Sequence, residues 1–449
     1  MTTAPTVRRR RREFIAPPFS WAQIEERAIA LNEPDWLIDM RRAAWELYES
    51  IPMPTLNDEA WRRTDYSHIN WDSAGPLALS ANPSLDNIPA QHLEPLIGEE
   101  QGGLIAWVDN ELVHAELNAR IAEQGVIFTD LHTAVQDYPE LVQKHLFQKA
   151  VKAEEGKFAA LHVAAWTYGL FIYVPRGVEV ELPLHSIFFS NNEGASLGHV
   201  LVVVDDNAAA TVAQEYISPE GDANASYIGG TELLVKRNAN LRYVELQNWG
   251  HNLYEFSHGR GHVGRDGQLD WVVGSMGSKL TKKFMQIALD EPGSWGRMSG
   301  MFFANEDQLL DHDTFQLHNA PHTTSDLLFK SALTDRARSV WRGMIRVMPD
   351  AQQTDGFQAN RNMILSDHAR ADSIPGLEIE ADDVRCTHAA TVGQMEPEYI
   401  FYLMARGIPR QEAERLFLNG YFQDVLDRIP FEEVQHRLLA DVDRKLLGE

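Results

Sequence analysis

Cys386 is the only cysteine among 449 residues, and His388 stands two places after it. In an extended strand that spacing turns both side chains to one face. A thiolate and an imidazole held together could ligate iron or zinc, or form a thiol with a base beside it. Alone the pair is a weak motif. Free cysteine is among the most buried residue types, Val384 shares the face, and packing is the plainer reading. A second group, Asp311-His312-Asp313 with His318 and His322, is either a histidine-rich β segment that builds a cupin-like metal site, or a set of loop histidines that cap and hydrogen-bond. His251, His258 and His262 read the same two ways. There is no Gly-x-x-x-x-Gly-Lys-Ser/Thr, no Gly-x-Ser-x-Gly elbow and no His-Glu-x-x-His. Gly259-Arg-Gly-His-Val-Gly264 has the glycines of a dinucleotide loop, but it is expected between strands with no helix after it.

Composition narrows what these residues can do. Acidic residues outnumber basic ones 65 to 40, a net charge of -25, and such a surface repels nucleic acid and anionic lipid. One cysteine excludes a disulfide framework and a four-cysteine zinc or iron–sulfur site within one chain. No apolar run approaches the ~20 residues of a membrane span. Arg8 to Arg12 form a basic run that Glu13 and Pro17-Pro18 end, with no apolar signal core behind it. It reads as a disordered tail, and the expected compartment is the cytoplasm.

Three textures must position the candidate side chains. After the tail, residues 1–20, comes a mainly helical N-terminal domain, 21–155. Ser20 caps a helix, Pro34 starts a second with Trp36, Leu37, Met40, Ala44 and Leu47 at helical spacing, Leu104–Val108 is a strand, and helices are expected over 112–124 and 134–151. Residues 156–392 are a series of short Val-, Ile-, Phe- and Tyr-rich segments separated by turn words such as Asp205-Asp-Asn, Asn238-Ala-Asn240 and Asp266-Gly267. Strands at intervals of about ten residues predict a sandwich, barrel or solenoid; no strict repeat selects among them. Residues 393–449 turn helical, with Pro397 in a first turn, Gly407 as a left-handed cap and Asn419-Gly420 ending a second helix. Four short helices there must pack on the β domain or on a partner.

From about Gln316 to Phe422 the chain resembles the SufB/SufD family of iron–sulfur cluster assembly proteins. The words that carry it are Gln316-Leu-His-Asn319, Phe329-Lys-Ser-Ala-Leu, Val340-Trp-Arg-Gly-Met-Ile-Arg-Val347, Gln353-Thr-Asp-Gly356, Asn362-Met-Ile-Leu-Ser366, Pro375-Gly-Leu-Glu-Ile379, Ala381-Asp-Asp-Val-Arg-Cys-Thr-His-Ala-Ala-Thr391 and Phe401-Tyr-Leu-Met-Ala-Arg-Gly407. Trp61-Arg-Arg-Thr64 is similar to a further family word. Within the family the SufD branch fits better, because SufB usually carries more cysteines; Ala389 stands where the SufD word more often has glycine. The resemblance implies a mainly β fold, a β-helix core between a helical N-terminal domain and a C-terminal helical segment. It implies a non-catalytic scaffold subunit that pairs with a SufB-like partner, binds a SufC-like ABC ATPase, and pairs with itself when isolated. His388, with Cys386 beside it, would then lie at the cluster-assembly interface, as ligands shared transiently with the partner around a nascent iron–sulfur cluster. Phe401, Tyr402, Arg406, Gly407 and Gly420 fall on the helices that would dock the ATPase. The alternatives are a SufB-type scaffold subunit and a cupin-like metalloenzyme built on His312, His318 and His322.

Overall fold

The computed structural model of the chain describes residues 13–96, 100–191 and 193–447; the arginine run at 8–12 lies outside them. The short strand segments wind into a β-solenoid of about eight turns. Each turn gives one strand to each of two sheets. One sheet runs from Glu111–Leu117 and Gly103–Val108 through Leu184–Phe189 to Val384–Gln394. The other runs from Ile127–Asp130 and Tyr168–Val174 to Arg370–Ile379. Pairing is parallel along both stacks, and turns antiparallel only at the first end, where Glu111–Leu117 and Ile127–Asp130 join. The lumen is packed by alternate residues such as Ile172, Val202, Leu233, Trp271 and Leu327.

Register shows why no strict repeat is visible. Leu309 lies opposite Leu280, and Arg338 opposite Leu309, a step of 29 residues each time. Between Tyr254 and Leu280 the step is 26, and between Arg338 and Arg370 it is 32. The strands stack while the corners vary in length. Corner residues Asn207, Asn238 and Asp266 take φ of 59°, 51° and 54°, a left-handed conformation that Asn and Asp tolerate better than most. Asn238 Nδ2 donates to Asn207 Oδ1 at 3.0 Å, one turn above the other.

The first helices form where expected. Ser20 and Gln23 make a reciprocal cap on Trp21–Ala30, and Asp35–Ser50 follows Pro34. Residues 13–20, expected in the tail, lie against the core, where the Tyr48 hydroxyl donates to the Pro17 carbonyl at 3.0 Å. Two helical expectations are corrected. The stretch 112–124 opens as the strand Glu111–Leu117, paired with Gly103–Val108, and only Ala119–Glu123 is helix. The stretch 134–151 splits into Leu131–Asp137 and Pro139–His145, because Pro139 pulls Tyr138 out of helical conformation. Of the glycine run at 259–264, Gly259 and Gly261 belong to the strand Leu253–Val263 and Gly264 follows its end; the Trp271 ring leaves no space for a Cβ at Gly259.

Two joints fix the helical part to the solenoid. Thr64 donates to the Asp311 carboxylate, Asp311 pairs with Lys282 at 3.0 Å, and the Trp61 ring lies 5.7 Å from that ammonium, which gives the word Trp61-Arg-Arg-Thr64 a structural purpose. Deeper, on the helix Lys157–Ala165, His162 Nδ1 donates to the Ile228 carbonyl at 3.1 Å. Its Nε2 therefore accepts from His199 Nδ1 at 3.0 Å, which leaves His199 Nε2 as an acceptor facing Glu232 Oε2 at 3.3 Å. Burial pushes the Glu232 carboxyl up to about 8, and its oxygens accept from the Phe147 and Val151 backbone N–H groups at 2.8 and 3.0 Å.

Among the described residues the C-terminal segment has three helices, Pro397–Met404, Arg410–Leu426 and Glu432–Leu447, rather than four. Asn419-Gly420 does not end the second. Leu418, Phe422, Val425 and Leu426 bury against the outer face of one sheet and carry the helix through a pair that locally favours a stop. Among the described residues no helix is long and apolar enough to cross a membrane.

Candidate functional site

Among the described residues Val384–Gln394 is the last strand of its sheet and pairs only with Thr354–Ile364, and Arg370–Ile379 is the last of the other and pairs only with Arg338–Val347. The final turn therefore presents bare backbone edges. Register fixes which side chains face the lumen. Gln358 reaches across to the opposite sheet, its Nε2 donating to the Gly376 carbonyl at 2.9 Å. His388 lies opposite Gln358, and Cys386 opposite Gly356. Both residues thus share the lumen-facing side, and because no further turn covers them they stand at its open mouth.

Their surroundings differ. Cys386 is half-buried beside Ile345 and Val347, and a Cβ at Gly356 would come within 3.2 Å of its Sγ, so the glycine makes room for the thiol. Burial pushes the thiol pKa up, a Gly356 backbone hydrogen bond opposes this, and the Asp355 charge adds to the rise. The resting group is the neutral thiol, which must lose its proton to ligate a metal. His388 is exposed. Position 389 lies in ordinary extended strand, so the alanine there carries no backbone strain. Among the described residues no three His, Cys, Asp or Glu side chains converge as metal ligands. The pair offers two donors, and a cluster would need the rest from another molecule.

Behind the mouth the lumen turns polar. Gln316 Nε2 donates to Ser325 Oγ at 2.7 Å, Ser331 Oγ to Asn362 Oδ1 at 2.6 Å, and Asn362 Nδ2 to the Thr391 carbonyl at 3.2 Å. Such groups are tolerated in a core when they are paired. The alternation Asn360-x-Asn362 within an apolar strand was the signal for this lining, and motif reading passed over it.

The second histidine group does not assemble. His312 faces inward, stacked on Phe302 at 5.0 Å with Nε2 3.3 Å from Ser275 Oγ. His318 uses both ring nitrogens, on Thr323 at 2.7 Å and Ser325 at 2.8 Å. His322 sits exposed on a corner with φ 59°. The cupin-like centre on these three residues is thereby overturned: His312 and His318 share one face of the strand Leu309–His318 but stand six residues apart, each engaged by its own neighbours, and His322 lies on the corner beyond. His258 stacks on Phe284, His262 pairs with Asp290 at 2.7 Å, and His251 lies near Glu220 and Glu306.

On the C-terminal helices, Phe401 is 71% exposed and Tyr402 56%, with Tyr399, Met404 and Leu416 exposed beside them. Arg406 covers the Tyr402 ring at 3.4 Å, and Gly407 turns the chain with φ 86°. Gly420 is exposed mid-helix. The segment is seated on the sheet through Leu418, Phe422 and Leu438, and Lys445 Nζ donates to the Phe303 carbonyl, Asn305 Oδ1 and Gln308 Oε1 at 3.0, 2.7 and 2.8 Å. Its first helix leaves an apolar stripe uncovered.

Sequence comparison matches residues 187–421 to the model described as the SufBD core domain of SUF-system FeS cluster assembly, and residues 21–185 to the SufBD protein N-terminal region. The chain is 31% identical over 426 residues to the iron–sulfur cluster assembly protein SufD of Bacillus subtilis, covering 92% of this chain and 95% of that one. A SufBD family iron–sulfur cluster assembly protein of Staphylococcus aureus is 29% identical over 416 residues, covering 89% and 87%.

Proposed function

The chain belongs to the SufBD family of SUF-system iron–sulfur cluster assembly proteins, and from that premise we propose that it is a SufD-type scaffold subunit whose open solenoid end pairs with a SufB-like partner. The observation that carries this is the bare last turn: two unpaired edges flank a lumen mouth that holds the chain's only thiol and an exposed imidazole two residues apart. A partner strand added there would satisfy the free backbone groups and bring further ligands to the same spot. The nascent cluster is the cargo, held transiently between the subunits. His388, exposed in the mouth, is the primary donor from this side; Cys386 follows only after its proton is removed.

In the same reading the chain is non-catalytic and cytoplasmic. The exposed face of Pro397–Met404, with Phe401 and Tyr402, and the chain from Arg406 and Gly407 to Gly420 dock a SufC-like ATPase. His388 lies on the strand that ends at Gln394, and the helix starts at Pro397. Motion of the docked ATPase reaches the cluster interface through that short link. The isolated chain pairs with itself through the same edges.

The test is His388→Ala in the co-expressed complex, with iron and acid-labile sulfide measured per complex. The expected outcome is an assembled complex with most of its cluster lost. Normal cluster content and normal complementation would remove His388 from the mechanism, and the same result for a Cys386→Ala/His388→Ala double variant would leave the chain a purely architectural partner.

A further inference from the structure

The C-terminal segment is held unevenly. Its second and third helices are clamped to the solenoid by cations. Lys330 Nζ, on a solenoid strand, donates to the Tyr421 carbonyl at 2.6 Å and to the Asp424 carboxylate at 2.5 Å. Arg428 reaches Ser299 Oγ at 3.0 Å and Asp326 at 3.1 Å. Arg437 donates to Glu215 at 2.7 Å, and the same carboxylate meets His92 Nδ1 at 2.6 Å and His185 Nε2 at 3.0 Å. The first helix, Pro397–Met404, has no such clamp among the described residues. Ile400 is its one buried residue, and its ring contact runs to the neighbouring helix, Tyr399 on Phe417 at 5.6 Å. Eight residues are too few for a helix to hold itself in water, so its place depends on what it packs against. A loose joint lies at each end. Glu396 is extended and makes no side-chain cap, and Gly407 turns with φ 86° and has nothing within 4 Å of where a Cβ would stand.

Beside this helix is a cavity of about 520 Å³. Ile400, Phe401 and Met404 line it from the helix, the corner at 364–367 lines it from the solenoid, and Arg410 and Glu414 line it from the clamped part. The sides differ in chemistry. Phe401 and Met404 are exposed and would bury apolar surface by moving inward. Asp367 and the Arg410–Glu414 pair, 2.8 Å apart, would lose water in the same step. Opposed contributions of this kind keep two positions close in free energy.

We propose that Pro397–Met404 is a lid on this cavity, closing against the solenoid corner while Arg410–Leu426 and Glu432–Leu447 stay fixed as its bed. Gln394 ends the last strand and Pro397 opens the lid, so closure draws on the end of the strand that carries His388. The movement belongs to this chain; only its trigger, a grip on Phe401 and Tyr402, rests on the ATPase-docking reading.

Hydrogen exchange on the full chain, with no partner present, is the test. Amides of 398–404 should exchange at least about tenfold faster than those of Arg410–Leu426. Asp367→Leu, at an exposed position, removes charge from the wall and should slow 398–404 about threefold; Met404→Gln makes the entering face polar and should speed it by a similar factor, and neither should change Arg410–Leu426. The inference is overturned if 398–404 exchanges as slowly as Arg410–Leu426, or if either substitution leaves its rate unchanged, which marks a frayed helix and no lid. With a SufC-like ATPase and ATP added, 398–404 should become protected. No change on that addition, with the dependence on Asp367 and Met404 intact, would overturn the docking reading and leave the lid standing.

Discussion

The solenoid's two ends are built from the same kind of strand and finished in opposite ways. At the first end the helix Lys157–Ala165 is buried throughout, Gly198–Val204 is buried along its whole length, and antiparallel strands cover the stack. At the last end Val384–Gln394 is exposed except at Val384 and Cys386, which are half-buried. A long free edge is a template for pairing with another chain, and proteins usually blunt it with lysine, proline or a covering helix. This strand has one charge, Arg385, and neither lysine nor proline. The comparison teaches that the first end is closed by the chain's own segments, while the last presents an exposed strand edge.

The widest separation between the ends should appear in stability. Phe188→Ala, at a fully buried ring packed on Trp107 and Tyr168, should cost about 3–5 kcal/mol, while Val392→Ala should stay within about 0.5 kcal/mol, both read from urea midpoints. Equal losses would end the comparison. Val392→Asp should nonetheless abolish co-purification with a SufB-like partner. Acid should act next, and on the closed end. Burial holds His132 and His199 down to about 3 and His145 down to about 4, against 6.5 when unfolded. With depressed folded values, their contribution is present above pH 6.5 and lost as pH falls toward 3, so the urea midpoint should drop steadily below pH 6.5. Glu232 has the opposite sign: raised to about 8, it favours folding at low pH and loses that contribution as pH rises from 4.5 through 8. Glu232→Gln should therefore flatten the alkaline side of the curve. A smaller effect on the chain itself is expected from Phe401→Ala/Tyr402→Ala, which should weaken ATPase binding at least about tenfold with the midpoint unchanged, because both rings are exposed. Cys386→Ala should be the mildest, about 1 kcal/mol or less, with a smaller loss of cluster than His388→Ala.

Much of the fold was legible because strands and turns are local. Alternation placed segments such as 269–273 within the strand Gln268–Ser275, and Asp205-Asp-Asn and Asp266-Gly267 fall at corners. The solenoid itself was not provable from pattern, since a step that drifts from 26 to 32 residues erases self-similarity while preserving stacking. The strand at 111–117 was misread because Ala, Glu and Leu favour helix, and only a neighbour in space says otherwise. The helix through Gly420 was missed for the same reason: burial of Phe422 overrides a local stop. At the candidate site, the spacing of Cys386 and His388 correctly put them on one face. Nothing local said that the face would be the lumen, or that theirs would be the last turn.

The way the C-terminal segment is seated has a metrical consequence. Its helices lie across Val244, Val272, Met301, Leu328 and Ala359, one residue from each of five successive strands, and Arg437 reaches further back to bind Glu215 at 2.7 Å. Strands in a ladder are about 4.8 Å apart, so the segment works as a ruler laid along the stack, with one mark near the open mouth and another near the closed end. Removing one whole coil would keep every remaining strand in register yet leave the ruler a notch too long. Either the Arg437–Glu215 mark or the seat of the first C-terminal helix would then be displaced, which makes the number of coils a measured length and not a free variable.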